Sequence, residues 1–454
     1  MRDQGSGILS ALARVASLIF YRVDRAGEAP AAGAVLLLPN HPNALLDPAV
    51  IWTTAGRHVR FLAKSTLFGT PLRPLLAGAG AIPVYRRKDE GVDTSRNAET
   101  FAEVERALAA GDAVCVFPEG ISHSTGRLEP LRSGAARMAL GAERRGLRIA
   151  IVPVGLNFDR KTAFRSRVTV VYGQPFSCAD LAAEPDQAET VRLLTSRIAE
   201  HMRRLLIEAD PEGDAALVGR VDRLYAAARG RPASPEERVA RRRIIAAGVE
   251  RLRQASPEKY EEVLHKFRRY DERLRRFGLR DRHLDWQVSS GDAARFGVRE
   301  TALGLVLVPL ALMGVVLFAV PYLATRAVAR RATRDPDVIA TAQLVAGTVV
   351  YGVWMVLLAA LAGMLAGMTA AVATLCLLPL AAVAGLLAFE RESAVVDAVR
   401  AWWLLRQTRR ITRERLRRSR SELAEVLDEV YEWLASEASR RDGWPGPRSP
   451  GAIV

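Results

Sequence analysis

The sequence predicts an α/β layer fold joined to a helical C-terminal half that seeks a membrane. Three observations point there. Between Gly33 and about Gly173, short apolar runs alternate with helical patterns, as strands interleaved with helices do. A mostly charged helical stretch then occupies Leu181 to Phe296. Two segments without any charge follow: 25 residues between Glu300 and Arg326, and 52 between Asp337 and Glu390. A helix needs about 20 apolar residues to cross a bilayer core. The first segment therefore has the length of one crossing and the second of two, and a wholly soluble chain fits poorly.

The elements follow in order. Ile8, Leu12, Val15 and Ile19 recur at helical spacing. They predict a short helix that either lies on a membrane or packs on the body of the domain; no secretory cleavage site follows it. Ala34 to Leu38 reads as a buried strand, and Asp47-Pro48 as an N-cap with proline at the first helical position. Asn97 to Ala110 presents Phe101, Val104 and Leu108 on one face and stops at Gly111. Ala113 to Phe117 is a second buried strand, Gly134 to Arg145 a helix, and IAIVPVGL and RVTVVYG two further strands.

In the apolar region, Thr301 to Thr325 holds Pro309 and Pro321, and Val338 to Phe389 should fold as a hairpin turning near Gly363 to Thr369. Trp402-Trp403 is an interfacial aromatic pair. Arg406 to Arg420 contains eight arginines and one glutamate, which favours the cytoplasmic side. Three full crossings would separate that tail from the α/β domain. The first span is therefore expected to be re-entrant or interfacial, the alternative being a tail that departs from the rule. The expected domains are 1–30, an amphipathic or interfacial helix; 31–180, the α/β domain; 181–298, a helical extension; 299–392, two or three membrane spans; and 393–454, an arginine-rich helical tail.

The net charge of +15 is nearly all arginine, with five lysines among 65 basic residues. Beside apolar spans, such charge suits anionic lipid headgroups rather than nucleic acid. Cys115, Cys178 and Cys376 form no CxxC pair and fit a reducing compartment.

The residues that carry chemistry sit where strands end. PNHPNALLDP, Pro39 to Pro48, places His41 at the exit of the first strand and Asp47 six residues on. An imidazole is the natural base for an alcohol near neutral pH, and a carboxylate on its other nitrogen fixes the tautomer. Alone, such a pair is more often a structural histidine and a helix cap. Downstream, GAIPVYRRKD ends in Arg86, Arg87 and Lys88, and a guanidinium there can grip phosphate. FPEGISH, Phe117 to His123, follows the second buried strand and brings Glu119, Gly120, Ser122 and His123 to its C-terminal edge, where open α/β sheets bind ligands. IVPVGLNF, Ile151 to Phe158, ends another strand in the same way.

The order NHPNALLD, GAIPVYR, FPEGISH, IVPVGLNF resembles the four-block signature of the PlsC-like glycerophospholipid acyltransferase family, over roughly Pro39 to Pro175. It is most similar to the glycerol-3-phosphate/dihydroxyacetone-phosphate acyltransferases. Most members of the family space the histidine and aspartate by four residues, whereas five separate His41 from Asp47, a longer spacing that recurs in the fungal dual-substrate branch. Ser122-His123 replaces the T-R-S of lysophosphatidate acyltransferases, and AFRSRV, Ala163 to Val168, looks like the glycerol-phosphate branch. The resemblance implies a mixed central sheet flanked by helices. It implies that His41 is the general base on the glycerol hydroxyl and Asp47 its orienting partner. Arg86 and Lys64 would face the phosphate, Glu119, Gly120, Ser122 and His123 would line the acceptor site, and Pro153 would border the acyl site. The co-substrate would be acyl-CoA or acyl-carrier protein, with no cofactor, metal or covalent acyl-enzyme, in an integral membrane protein whose catalytic domain is cytoplasmic. The partners would be a phospholipid membrane, an acyl thioester donor and a phosphorylated glycerol acceptor.

Other classes lack their motifs. Gly120-Ile-Ser122-His-Ser124 misses the last glycine of a nucleophile elbow, and there is no HExxH, P-loop or Cys/His metal spacing. His58, His201, His265 and His283 stand alone. Two rival readings remain: a lysophosphatidate acyltransferase, and a non-catalytic scaffold that binds anionic lipid.

Overall fold

Val35–Pro39 carries no polar side chain, and all five residues are buried. A strand covered on both faces needs no alternation, and this one lies in the middle of a seven-stranded sheet. The computed structural model describes residues 4–70, 73–85, 94–209, 214–229, 234–279, 281–284, 290–333, 339–407 and 410–442. They divide into two units, residues 1–218, 233–250 and 335–341, and residues 219–232, 251–334 and 342–454.

The strands of the first unit are β1 (Tyr21–Ala26), β2 (Val35–Pro39), β3 (Val59–Lys64), β4 (Ile82–Val84), β5 (Ala113–Cys115), β6 (Ala150–Phe158) and β7 (Ser166–Tyr172), in the order β1-β7-β6-β2-β5-β3-β4. β2 pairs in parallel with β5 and β6, and β3 with β4 and β5. β7 runs antiparallel to β6 and parallel to β1. The sheet is therefore mixed. Five strands send their C-terminal ends to one edge, and β7 and β1 start there.

Its helices are α1 (Gln4–Phe20), α2 (Leu46–Thr54), α3 (Arg73–Gly78), α4 (Asn97–Ala109), α5 (Gly134–Arg144), α6 (Ala179–Ala182) and α7 (Gln187–Arg203). Leu36 and Leu38 of β2 pack with Val104 and Leu108 of α4, Leu140 of α5, and Leu194 and Ile198 of α7 in one buried cluster. Burying a leucine or isoleucine of this kind contributes about 1.5–3 kcal/mol. Elsewhere α1 meets α2, where the Ser17 and Thr53 hydroxyls lie 2.6 Å apart and Arg14 donates to the Thr53 carbonyl.

Three strands were not foreseen. β1, YRVDRA, carries three charges in six residues, which masks its pairing with β7. β3 mixes charged and apolar residues, and β4 has only three residues. The cap read at Asp47 is also corrected. α2 begins at Leu46 behind Leu45, which makes no side-chain cap. The Asp47 carboxylate instead turns back toward residues 41–43.

α8 (Asp214–Arg229) and α9 (Pro235–Ala255) have residues in both units. α10 (Pro257–Arg276), α11 (Asp281–Leu284), α12 (Ser290–Ala332), α13 (Ile339–Ala366), α14 (Met368–Gln407) and α15 (Arg410–Asp442) complete the chain. Three stretches are long and apolar enough to cross a membrane: Leu312–Ala332, Thr341–Ala366 and Met368–Ala388. Over their most apolar 18 residues only 22%, 6% and 11% are buried, so their apolar surface faces outward, as lipid requires.

α12 runs unbroken through Pro309 and Pro321, so the expected re-entrant turn is not there. A proline inside a helix frees the carbonyl four residues earlier. For Pro321 that carbonyl is Leu317, and the Trp354 indole N–H of α13 donates to it at 2.8 Å. In lipid such a group needs a partner from the protein. α12 and α14 also approach closely, because a Cβ on Gly314 would lie 3.0 Å from Gly385 Cα, the small-residue packing common in membranes. Trp354→Phe should lower stability by about 1–2 kcal/mol in a detergent unfolding titration. In a Pro321→Ala background, where the helix itself satisfies Leu317, the same change should cost clearly less. Equal losses in both backgrounds would show that the indole does not serve that carbonyl.

Candidate active site

The C-terminal edge of the sheet gathers the residues that the sequence placed at strand ends. His41 leaves β2, Lys64 closes β3, Glu119 to His123 follow β5, and the loop after β6 carries Lys161. Arg86 comes two residues after β4, with Arg87 and Lys88, outside the described residues.

His41 and Asp47 meet. His41 Nδ1 lies 2.8 Å from Asp47 Oδ2, with the carboxylate fully buried and the imidazole 14% exposed. The same Oδ2 accepts from the Asn43 main-chain N–H at 2.8 Å, while Asp47 Oδ1 has no hydrogen-bond partner among the described residues. Burial pushes the Asp47 carboxyl above its ordinary value, and this outweighs the opposing pull of His41 and the Asn43 amide. The imidazole stacks on Phe117, ring centroids 4.0 Å apart.

The five-residue spacing is absorbed within the turn. Ala44 takes φ +42°, and Leu46 N–H returns to the Asn43 carbonyl at 3.1 Å. A left-handed alanine costs roughly 1–2 kcal/mol. The loop is held regardless, because its polar groups are bonded on several sides. Buried Asn40 exchanges two hydrogen bonds with the Leu156 main chain, at 2.7 and 3.2 Å. His41 N–H donates to Glu119 Oε2 at 2.7 Å, and His123 N–H donates to the His41 carbonyl at 3.1 Å.

Glu119 is turned toward the main chain of these loops. Its side chain is completely buried. It accepts from the main chains of His41 and Glu129, and its Oε1 lies 2.8 Å from His123 Nε2 without hydrogen-bond alignment. It organises the loops around His41. Burial pulls the His123 imidazole down, but the Glu119 contacts more than offset this, leaving it above its ordinary value. Gly120 stands at φ +75° beside the Arg132 side chain, a conformation that suits glycine. Ser122 and Lys64 are half-buried. Pro153 is buried inside β6, paired with Leu38.

Sequence reading missed Tyr21, Asn43 and Lys161. The Asn43 side-chain amide donates to the Tyr21 hydroxyl at 2.6 Å and to the Lys161 carbonyl at 3.4 Å. Tyr21 in turn donates to that carbonyl, and burial raises its phenol. Only the polar character of Asn43, inside an otherwise apolar NALL run, could have hinted at this. Among the described residues, no three His, Cys, Asp or Glu side chains gather to hold a metal ion.

The arrangement can orient an imidazole, have its Nδ1–H donate to a buried carboxylate, and leave Nε2 to take a proton from a hydroxyl. The family model described as Acyltransferase matches residues 21–157, and Glycerol-3-phosphate acyltransferase 2 C-terminal domain matches residues 217–438. Glycerol-3-phosphate O-acyltransferase 2 of Saccharomyces cerevisiae is 33% identical over 134 residues, covering 28% of this chain and 18% of that protein. Glycerol-3-phosphate O-acyltransferase 1 of the same yeast is 26% identical over 267 residues, covering 57% and 35%. The chain thus spans well under half the length of these two relatives. Among solved structures, the 1-acyl-sn-glycerophosphate (LPA) acyltransferase PlsC of Thermotoga maritima is similar at 15% identity and a TM-score of 0.32, over 44% of this chain and 78% of that one. The chain therefore carries a PlsC-like acyltransferase domain followed by a glycerol-3-phosphate acyltransferase 2 C-terminal domain.

Proposed function

We propose that this chain is a membrane-bound O-acyltransferase that moves a fatty acyl group from acyl-CoA or acyl-carrier protein to glycerol 3-phosphate and/or dihydroxyacetone phosphate. The observation that carries the proposal is the His41–Asp47 pair, 2.8 Å apart on a tightly bonded loop at the ligand-binding edge of the sheet. His41 Nε2 takes the proton of the acceptor hydroxyl as its oxygen attacks the thioester carbonyl. The new C–O bond gives a tetrahedral oxyanion. Its collapse breaks the C–S bond, and the departing thiolate takes the proton back from the imidazolium. Asp47 holds the ring in the tautomer that makes both transfers possible.

The phosphate of the acceptor is assigned to Arg86 and Lys64, and Ser122 to the lining of the acceptor site. Glu119 and His123 act by shaping the loops. The names of the two yeast relatives favour glycerol 3-phosphate as acceptor. The three apolar helices keep the enzyme in the membrane where its lipid product partitions, with the α/β unit on the cytoplasmic side.

Membranes containing the purified chain should be assayed with glycerol 3-phosphate, dihydroxyacetone phosphate and lysophosphatidate. One or both of the first two should be the better acceptor; preference for lysophosphatidate would overturn the assignment. Arg86→Ala should raise the acceptor KM by about tenfold or more, the loss of a charged hydrogen bond, with little change in the donor KM. Equal effects on both would remove Arg86 from the phosphate site.

A further inference from the structure

We propose that Lys161 is a positioning residue for His41, pinning the loop of the His41–Asp47 pair to the loop that follows β5. The inference rests on the acyltransferase reading above. Lys161 belongs to the turn between β6 and β7, and that turn is itself well held. Ala163 N–H bonds the Arg160 carbonyl at 3.1 Å, and Arg160 N–H bonds the Ser166 hydroxyl at 3.0 Å. Arg165 N–H reaches the Phe20 carbonyl at 2.7 Å. From this fixed base the lysine works at both ends. Its carbonyl accepts from Tyr21 and Asn43. Its ammonium donates to the Pro42 carbonyl at 3.1 Å, to the His123 carbonyl at 3.5 Å and to the Ser124 hydroxyl.

Those three acceptors belong to the two loops that must stay in register for His41 to face a substrate. Pro42 follows His41, and His123 already donates its N–H to the His41 carbonyl. An ammonium has three protons to donate, and here each has an acceptor. Charge-assisted hydrogen bonds are stronger than neutral ones, so this one side chain ties together segments separated by 119, 38 and 37 residues in sequence. With its donors committed to protein oxygens, Lys161 serves geometry rather than the phosphate. Misplacing a catalytic group by about 1 Å can cost on the order of a hundredfold in rate.

The test uses the full chain in detergent or membranes. Lys161→Met keeps the length of the side chain and removes the charge. It should lower kcat by about tenfold to a hundredfold, while both KM values stay within about twofold. Amide hydrogen exchange in peptides covering 40–47 and 119–125 should rise, with α5 unaffected. Lys161→Arg should retain most of the activity. In a Cys376→Ala background, where the two remaining cysteines are buried, Lys161→Cys should regain kcat after aminoethylation restores an ammonium.

Unchanged exchange in both loops would overturn the proposal. So would an effect confined to the acceptor KM, which would make Lys161 a phosphate ligand, or a failure of aminoethylation to restore a folded variant. A native chain with no acyl transfer would instead defeat the acyltransferase reading, and the exchange measurement would still judge the pin.

Discussion

His41→Ala is expected to lower acyl transfer by roughly 10²–10⁴-fold, the range that general base catalysis supplies, with the fold retained. Among the described residues, the side chain makes one hydrogen bond, to Asp47, and one stacking contact, to Phe117. Its removal leaves the buried carboxylate with the Asn43 N–H as its remaining donor on Oδ2, so stability should fall by about 1–3 kcal/mol without unfolding the sheet. Turnover under saturating donor and acceptor, beside a thermal melt, reads both effects. His41→Gln, which keeps volume and polarity but cannot act as the base, should be as inactive as the alanine variant. A folded His41→Ala protein with native turnover would remove the base assignment and favour the lipid-binding scaffold.

Asp47→Asn should be nearly as damaging to activity, up to about 10⁴-fold by the logic of other histidine–aspartate pairs, yet gentler on the fold. A neutral amide no longer selects the Nδ1–H tautomer or steadies the imidazolium. The stability effect should have the opposite sign, because burial holds the Asp47 carboxyl above its unfolded value. For a raised carboxyl, the native state favours the protonated form. Its contribution is fully present below the unfolded value of 3.8 and is lost as pH rises through the folded value. The asparagine variant does not suffer that loss, so its melting temperature relative to the native protein should climb with pH across this window. A pH-independent difference would mean that Asp47 carries no burial penalty. Retained activity would mean that it does not orient His41. An enzyme that keeps a less stable, ionised residue at this position gives up stability for function.

Much of the candidate site was legible because its chemistry is local in sequence. His41 and Asp47 share one turn, and a buried apolar run such as Val35–Pro39 points its exit toward a ligand edge whatever its neighbours are. The uncharged segments likewise announced the apolar helices, since hydropathy over about 20 residues depends on nothing distant. The expectation of a re-entrant or interfacial first span came instead from the charge of the distant tail, and α12 runs as one continuous helix through both prolines. The carbonyl that Pro321 frees is served by Trp354, 37 residues from Leu317.

What only the tertiary structure decided are the partnerships made across the mixed sheet. The Glu119 carboxylate reaches the His41 amide over 78 residues, and the Lys161 ammonium reaches Pro42 over 119. β1 carries Tyr21 to the same edge by pairing with β7, a strand that begins 145 residues after it, at Ser166. Hydrophobic periodicity reports which face of an element is buried, but not which loops its ends will touch. Those neighbours follow from strand order, and strand order is set by long-range pairing. The sequence by itself therefore determined which residues carry chemically capable groups, and the packed sheet determined which of them meet at one edge and which bond to the neighbouring loops.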